Sequence, residues 1–488
     1  MLSNLIHRGP DDLGDASLPG RAWLGHTRLS IVDLDGGRQP LYAEGTYLVC
    51  NGEIYNHAEI RDRLGHDRFD TSSDNEAALK LLLRDGPSAL SELRGMWALC
   101  AASPDLFVAA RDPLGIKPLY WARHDGTVRF ASELGAFAPE WRWAVETFPP
   151  GCYWTPEEGL VRFASHAPER DELNSAEYED IDAEDERVIT EVRDVLVDSI
   201  RRQLMADVDV GVFLSGGLDS SIVAAVAADI LASEGKRLKT FAVGTEDSSD
   251  LQAARDVATY LDTEHYEATF DGTDALAAVE DVVVAVESFD PLLIRSAVPN
   301  WFLAKLASEH VKVVLTGEGA DELYAGYAYY HSDYTDPERL ETELLRAIGE
   351  LHGLNLQRCD RVTMAHGLEA RVPFLDQNVI AHAMSLPVEW KTTGADGMEK
   401  RLLREAFRGW LPDKVVDRKK EQFGTGSGAA DVLARQVAAG IPDQEFDRER
   451  GCVDPELRSK EELAYFRMYV RKYAGLRPER TLTRFAHA

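Results

Sequence analysis

Cysteine is sparse in this chain. The five cysteines, at 50, 100, 152, 359 and 452, are scattered and no two stand in a Cys-x-x-Cys spacing, which suggests neither a zinc site nor a disulfide framework. Long apolar runs are missing too: none approaches the length of a membrane span. Residues Met1 to Arg8 lack the basic-then-apolar layout of a signal peptide. A cytoplasmic protein that engages no membrane is the expectation. Lysine is scarce as well. Only 13 of the 53 basic residues are lysine, against 84 acidic ones, for a formal net charge of −31. Such a field repels nucleic acid at long range and argues against it as a partner. It also suits a salt-rich cytoplasm, where abundant cations screen the self-repulsion.

What the chain does have is 488 residues, enough for two or three domains, and one informative loop. Val208 to Leu214 is apolar and rich in β-branched residues, and reads as a buried strand. Ser215-Gly216-Gly217-Leu218-Asp219-Ser220-Ser221 follows, and then an apolar, helix-length run from Ile222 to Leu231. A strand, a Ser/Gly turn and a helix start form a phosphate site: glycine lets the backbone approach, and the free N–H groups of the helix point at the anion. Asp219 adds a carboxylate suited to a Mg²⁺ shared with the phosphates. No Gly-Lys-Ser/Thr follows, so this is not a Walker loop; it resembles the SGGxDS loop of ATP pyrophosphatases.

An acidic stretch, nearly free of large apolar residues, divides the chain near residues 166–186 and reads as an exposed linker. Residues 1–165 alternate short strand-like runs with turns, around one helix candidate at 76–84, and point to an α+β unit with antiparallel sheets. Over 187–488 strands and helices alternate: strand 208–214, helix 219–231, strand 238–243, helix 250–261, strand 311–315. That order predicts a doubly wound parallel sheet with ligands at the carboxyl ends of its strands. Two further loops then fall at strand ends, Phe241-Ala242-Val243-Gly244 and Thr316-Gly317-Glu318-Gly319-Ala320-Asp321-Glu322. Carboxylates beside phosphates repel unless metal sits between them, so Asp321 is expected to pair with Asp219 across Mg²⁺. Arg418-Lys419-Lys420-Glu421-Gln422-Phe423-Gly424 supplies cations fit to neutralise a developing pyrophosphate.

These stretches together resemble the glutamine-dependent asparagine synthetase family over nearly the whole chain. The likeness extends to His7-Arg8-Gly9-Pro10-Asp11, Arg28-Leu29-Ser30-Ile31-Val32-Asp33, Asn51-Gly52-Glu53-Ile54-Tyr55-Asn56, Arg111 to Tyr120, and Glu369-Ala370-Arg371-Val372-Pro373-Phe374-Leu375-Asp376. The resemblance implies an N-terminal-nucleophile glutaminase sandwich followed by an ATP-pyrophosphatase domain. It implies that aspartate is adenylated by ATP and that ammonia then displaces AMP. Carried over by position, Leu214 and Val243 hold adenine through their backbones, and Ser215, Gly216, Gly217, Asp219 and Ser220 cradle pyrophosphate. Thr316 and Gly317 also touch ATP; the family usually has Ser at the first. Asp219 and Asp321 carry Mg²⁺, Glu318 assists ammonia, and Lys420 stabilises the transition state. The family also suggests a homodimer.

In the first half the resemblance implies an oxyanion hole at Asn51 and Gly52. It implies a clamp on glutamine's carboxylate and amine from Arg28, Glu53 and Asp74, with backbone contacts from Ile31 and Val32. The family's nucleophile is a Cys exposed by removal of Met, whose own α-amine serves as base. Here residue 2 is Leu, and the family's opening strand is absent. No internal cysteine has a free α-amine; Cys50 reads as packing. The chain as written is therefore expected to draw on free ammonia. Either the true start lies upstream or the loss is real, and the intact clamp residues favour the first. An absent first strand would leave a sheet edge unpaired and the first domain less stable. Three alternatives are a β-lactam-synthetase-like enzyme, an amidotransferase for another carboxylate, and a non-catalytic nucleotide-binding subunit. Glu318 and the intact Asn51-Gly52-Glu53 weigh against the first, and the full Asp219, Glu318, Asp321 and Lys420 set against the last.

If the acidity is a salt adaptation, unfolding by heat is expected at markedly higher temperature in molar KCl than at low salt. Equal stability in both would contradict it.

Overall fold

The computed structural model describes residues 1–168, 182–183, 185–393, 397–418 and 430–485. Most of the expected linker, and the basic segment from Lys419 to Gly424, fall outside the described residues. In the first half β1 (Asp12–Leu18) and β2 (Ala22–Arg28) form a two-stranded ribbon. Strands β3 (Leu41–Ala43), β4 (Thr46–Ile54), β5 (Gly95–Ala102), β6 (Phe107–Arg111), β10 (Cys152–Thr155) and β11 (Gly159–Arg162) make a six-stranded sheet in the order β11-β10-β6-β5-β4-β3. Every pairing in it is antiparallel. Strands β7 (Tyr120–His124), β8 (Thr127–Ala131) and β9 (Val145–Thr147) form a third sheet. Helices α1 (His57–Leu64) and α2 (Asp74–Asp85) supply Ile60, Leu79 and Leu82 to a core shared with Leu48, Ile54, Trp97 and Leu99 of the six-stranded sheet. The α+β expectation holds, and the expected helix is α2.

The second half begins with α3 (Glu186–Gln203), capped by Asp185, whose side chain accepts from Arg187 N. Strands β12 (Val210–Phe213), β13 (Lys239–Gly244), β14 (Glu264–Thr269), β15 (Val313–Leu315) and β16 (Glu369–Arg371) form a five-stranded sheet in the order β14-β13-β12-β15-β16. All four pairings are parallel. Helices α4 (Leu218–Ser233), α5 (Ser249–Tyr260), α6 (Gly272–Val286) and α7 (Pro291–Ser308) lie between its strands in sequence. This is the doubly wound arrangement expected, with β12 central. The order reverses at β12, so β13 and β15 flank it on opposite sides, and the loop after β12 lies at the switch point where such sheets bind ligands. α4 is apolar on every face through Ala227 because that part is buried: Ile222, Val223, Val226 and Ala227 are inaccessible to solvent.

The two halves meet across a buried seam of charge. Arg8 donates to Glu133 at 2.9 Å and to both oxygens of Asp360 at 2.8 and 3.0 Å. Lys117 reaches Glu369 at 3.1 Å, and Arg361, 1 % exposed, reaches Glu287 at 3.2 Å and Asp360 at 2.9 Å. Arg371 Nη2 comes within 3.5 Å of Glu53. Burial alone would raise Asp360, yet Arg8, Lys117 and Arg361 hold it below the usual carboxylate range. The pairs Arg8–Asp360, Lys117–Glu369 and Arg371–Glu53 cross between the halves, so losing one partner would strand the other in a dry interface at a cost of about 3–5 kcal/mol.

Candidate active site

The loop after β12 closes as a phosphate cradle should. Gly216 has φ +72°, and a Cβ there would lie 2.5 Å from the backbone of Ala253, so only glycine fits. Gly217 caps α4, which leaves the first-turn N–H groups of Leu218, Asp219 and Ser220 without helical partners. Ser215 Oγ and Ser220 Oγ lie 3.0 Å apart, and Ser220 Oγ donates to Gly217 O at 3.2 Å, so the hydroxyls brace the turn. Leu214 N donates to Phe241 O at 2.8 Å, which ties the ends of β12 and β13 together. Leu214 and Val243 are both buried there.

The loop after β15 meets this cradle. A Cβ on Gly317 would fall 2.9 Å from Asp219 Cβ and 3.0 Å from Ser220 N, so glycine is what lets the two loops touch. Thr316 N is held by Arg371 O at 2.9 Å. Asp219 and Asp321, far apart in sequence, converge on one cation: Lys400 Nζ lies 2.6 Å from Asp219 Oδ2 and 2.5 Å from Asp321 Oδ1. Glu318 pairs with the buried guanidinium of Arg358, which also donates to Ser296 Oγ at 3.0 Å. Glu322 behaves differently. It turns into the core, accepting from Tyr327 OH at 2.8 Å and Asn355 Nδ2 at 3.1 Å, and burial pushes its carboxyl up to about 7. Of the three carboxylates expected to crowd the phosphates, two face the site.

Among the described residues no three His, Cys, Asp or Glu side chains form a ready metal cage. Two carboxylates gathered on one positive charge beside a phosphate cradle fit Mg²⁺, which takes most of its ligands from phosphate and water. Lys420 lies outside the described residues. Arg418, two positions before it, is described: it reaches Asp250 at 3.0 Å and Gly216 O of the cradle loop at 3.4 Å. Sequence reasoning missed Lys400 and Arg358. The scarcity of lysine that drew notice to Lys420 applies equally to Lys400.

In the first half, Arg28, Ile31, Val32, Asn51, Gly52, Glu53 and Asp74 line one open cavity. Arg28 is braced by the carbonyls of Val32, Asp33 and Leu34 at 3.1, 2.6 and 3.1 Å. Gly52 has φ +130°, and a Cβ there would strike Met96 O at 1.9 Å, while Asn51 Nδ2 is buried with no hydrogen-bond acceptor. Burial pushes the Glu53 carboxyl well above the usual range, with Asp74 and Glu369 adding repulsion. Cys50 is 2 % exposed and its thiol is pushed up by burial, in keeping with a packing role.

Burial raises the Asp74 carboxyl from 3.8 to about 6, against the pull of Ile54 N–H. A carboxyl with a folded value above its unfolded one contributes stability below about pH 4 that is lost as pH rises through about 6. Urea unfolding followed from pH 4 to 7 is expected to show that decline, and Asp74→Asn, which cannot ionise, should flatten it. Parallel pH profiles for the two proteins would contradict the assignment.

Residues 1–151 match the glutamine amidotransferase domain, and residues 191–341 and 332–464 match asparagine synthase. Asparagine synthetase B [glutamine-hydrolyzing] of Escherichia coli (strain K12) is 38% identical over 472 residues, covering 92% of this chain and 83% of its own. Asparagine synthetase [glutamine-hydrolyzing] of Asparagus officinalis is 38% identical over 491 residues, covering 96% of this chain and 81% of its own. The solved allosteric regulatory enzyme of purine biosynthesis overlaps 55% of this chain and 76% of its own at 19% identity and a TM-score of 0.30, too little to add to the fold read from the strand order. With a phosphate cradle, paired carboxylates and an amidotransferase-type pocket in one polypeptide, and with likeness of this extent, the chain belongs to the asparagine synthase family.

Proposed function

We propose that this chain converts L-aspartate to L-asparagine with ATP, releasing AMP and pyrophosphate. The observation that carries the reading is the convergence of Asp219 and Asp321 on one cation, beside the phosphate cradle and next to Glu318. In the first step the side-chain carboxylate of aspartate attacks the α-phosphorus and pyrophosphate leaves, giving β-aspartyl-AMP. In the second, ammonia attacks the acyl carbon and AMP leaves. The backbones of Leu214 and Val243, at the ends of adjacent strands, read adenine. Ser215, Gly216, Gly217 and Ser220 cradle the departing pyrophosphate through N–H groups and hydroxyls, with Thr316 and Gly317 closing the other side. Mg²⁺ held by Asp219 and Asp321 would neutralise charge on the phosphates. Glu318 accepts a proton from the attacking ammonia, with Arg358 fixing its carboxylate in place. Lys420 is assigned to the charge developing between the α- and β-phosphates.

The cavity lined by Arg28, Glu53 and Asp74 supports glutamine as the family's nitrogen source, with Asn51 and Gly52 as its oxyanion hole. The reading extends to a cytoplasmic homodimer acting on small molecules, not on nucleic acid or membranes. The net charge of −31 supports small molecules over nucleic acid as its partners.

Purified protein given ATP, Mg²⁺, ammonium and aspartate is expected to form asparagine, AMP and pyrophosphate in equal amounts. Asp321→Asn should slow this on the order of a hundredfold or more. Turnover with another carboxylic acid but not aspartate would contradict the assignment.

A further inference from the structure

The cavity of the first half is not built by the first half alone. Met364 and Glu369, both of the second half, stand in its lining with Arg28, Glu53 and Asp74. Three carboxyl groups, those of Glu53, Asp74 and Glu369, therefore share one lining, where like charges oppose one another. Arg371, wholly buried on β16, stands against them. Its guanidinium is fixed on two sides. Nε donates to Glu369 Oε1 at 3.0 Å, and Nη1 donates to Gln203 O and Met205 O at 2.7 and 2.6 Å. The third nitrogen, Nη2, is turned to Glu53. It lies 3.5 Å from Glu53 Oε2, and both atoms are buried with no hydrogen-bond partner. That gap is too wide for a good hydrogen bond and too narrow for a water between them. The two groups meet as charges.

We propose that Arg371 is a positioning residue of this cavity, a guanidinium from the second half that holds the Glu53 carboxylate for the α-ammonium of glutamine. An ammonium is received well by a carboxylate and poorly by a carboxylic acid, so the clamp works while its acids are ionised. Burial, then Asp74 and Glu369, push the Glu53 carboxyl well above its usual range, and Arg371 leads the groups that oppose this. Burial likewise raises Asp74 to about 6, against the N–H groups of Ile54 and Asn75 and then Arg371, with Glu369 adding to the rise. Arg371 thus favours the ionised form of both clamp carboxyls, and Glu369 disfavours it. The other charges nearby are engaged elsewhere. Lys117, which also draws Glu53 down, lies 3.1 Å from Glu369 and 3.8 Å from Asp360. Arg61 of α1, near Asp74, donates to Thr71 O and Ser73 O. Cys50 and Tyr55 are pushed up by burial and stay neutral.

The inference rests on the reading of this cavity as a glutamine site, and calorimetric titration of the full chain separates the two. L-Glutamine is compared with glutaramate, which is glutamine without its α-amino group. Wild type is expected to bind glutamine more tightly as pH rises from about 5 to 8, and Arg28→Met should weaken both ligands. If wild type binds neither, or Arg28→Met changes neither, the glutamine reading fails and the inference falls with it. Arg371→Met is expected to bind glutamine at least about tenfold more weakly at neutral pH, recovering only at higher pH. Its affinity for glutaramate, which offers Glu53 no ammonium, should stay close to that of wild type. Arg371→Lys, which keeps the charge, should restore most of the loss. Glu369→Gln keeps an acceptor for Nε while removing a repelling charge, and should move the rise in glutamine binding to lower pH. That variant carries the test if circular dichroism shows Arg371→Met unfolded. Equal loss of both ligands in a folded Arg371→Met, or an unshifted pH profile in either neutral variant, would overturn the positioning role.

Discussion

Everything in the second half is arranged so that two carboxylates can share one point. Asp219 rides on the first turn of α4 and Asp321 on the short helix after β15, and each on its own is an unremarkable acidic residue in an acidic chain. The parallel pairing of β12 with β15 puts their loops side by side. Gly317 and Gly326 remove the side chains that would keep them apart, and Lys400 closes the gap with its charge. Remove the strand adjacency and the loops do not meet; remove the glycines and they clash; remove the cation and they repel. The cradle, the two carboxylates and Glu318 stand together because of that convergence.

The same logic joins the halves. The helix Asn355–Met364 carries Arg358 against Glu318 on one side, and Asp360 and Arg361 against Arg8 and the Glu287–Tyr120 neighbourhood on the other. Glu369 and Arg371 on β16 contact Lys117 and Glu53 of the first half. One helix and one short strand thus link the lining of the glutamine-type cavity to the adenylation site through ions that water does not reach. Buried ion pairs of this kind contribute little net stability, but they penalise every other arrangement of their partners. The seam fixes the geometry between a nitrogen source and its acceptor more than it holds the halves together.

Much of this was legible in the sequence, and the reasons for what was not are physical. The strand, turn and helix around Ser215–Ser221 combine β-branched residues, glycines and an apolar run, signals that point the same way, and the structure follows them within two residues or so. β14 was missed because, on the sheet edge, it reads Glu-His-Tyr-Glu-Ala-Thr with no apolar face. β16 was missed because its three buried residues are Glu, Ala and Arg, stabilised by ion pairs that no local pattern reveals. β5 escaped notice because it is buried on nearly every side chain and shows no alternation. At the site, residues within one motif were readable. Lys400 and Arg358 were not, since their roles exist only after the chain has folded. Glu322 illustrates the opposite error: its motif position suggested the site, and its side chain turned inward.

The proposed activation of a carboxylate by its attachment to the α-phosphate of ATP leaves an isotopic signature in the nucleotide. Aspartate labelled with ¹⁸O in its side-chain carboxylate tests that directly, by mass spectrometry of the nucleotide product. One ¹⁸O in the phosphate of AMP for each asparagine formed is the result expected. Unlabelled AMP, or ADP and inorganic phosphate in its place, would contradict it.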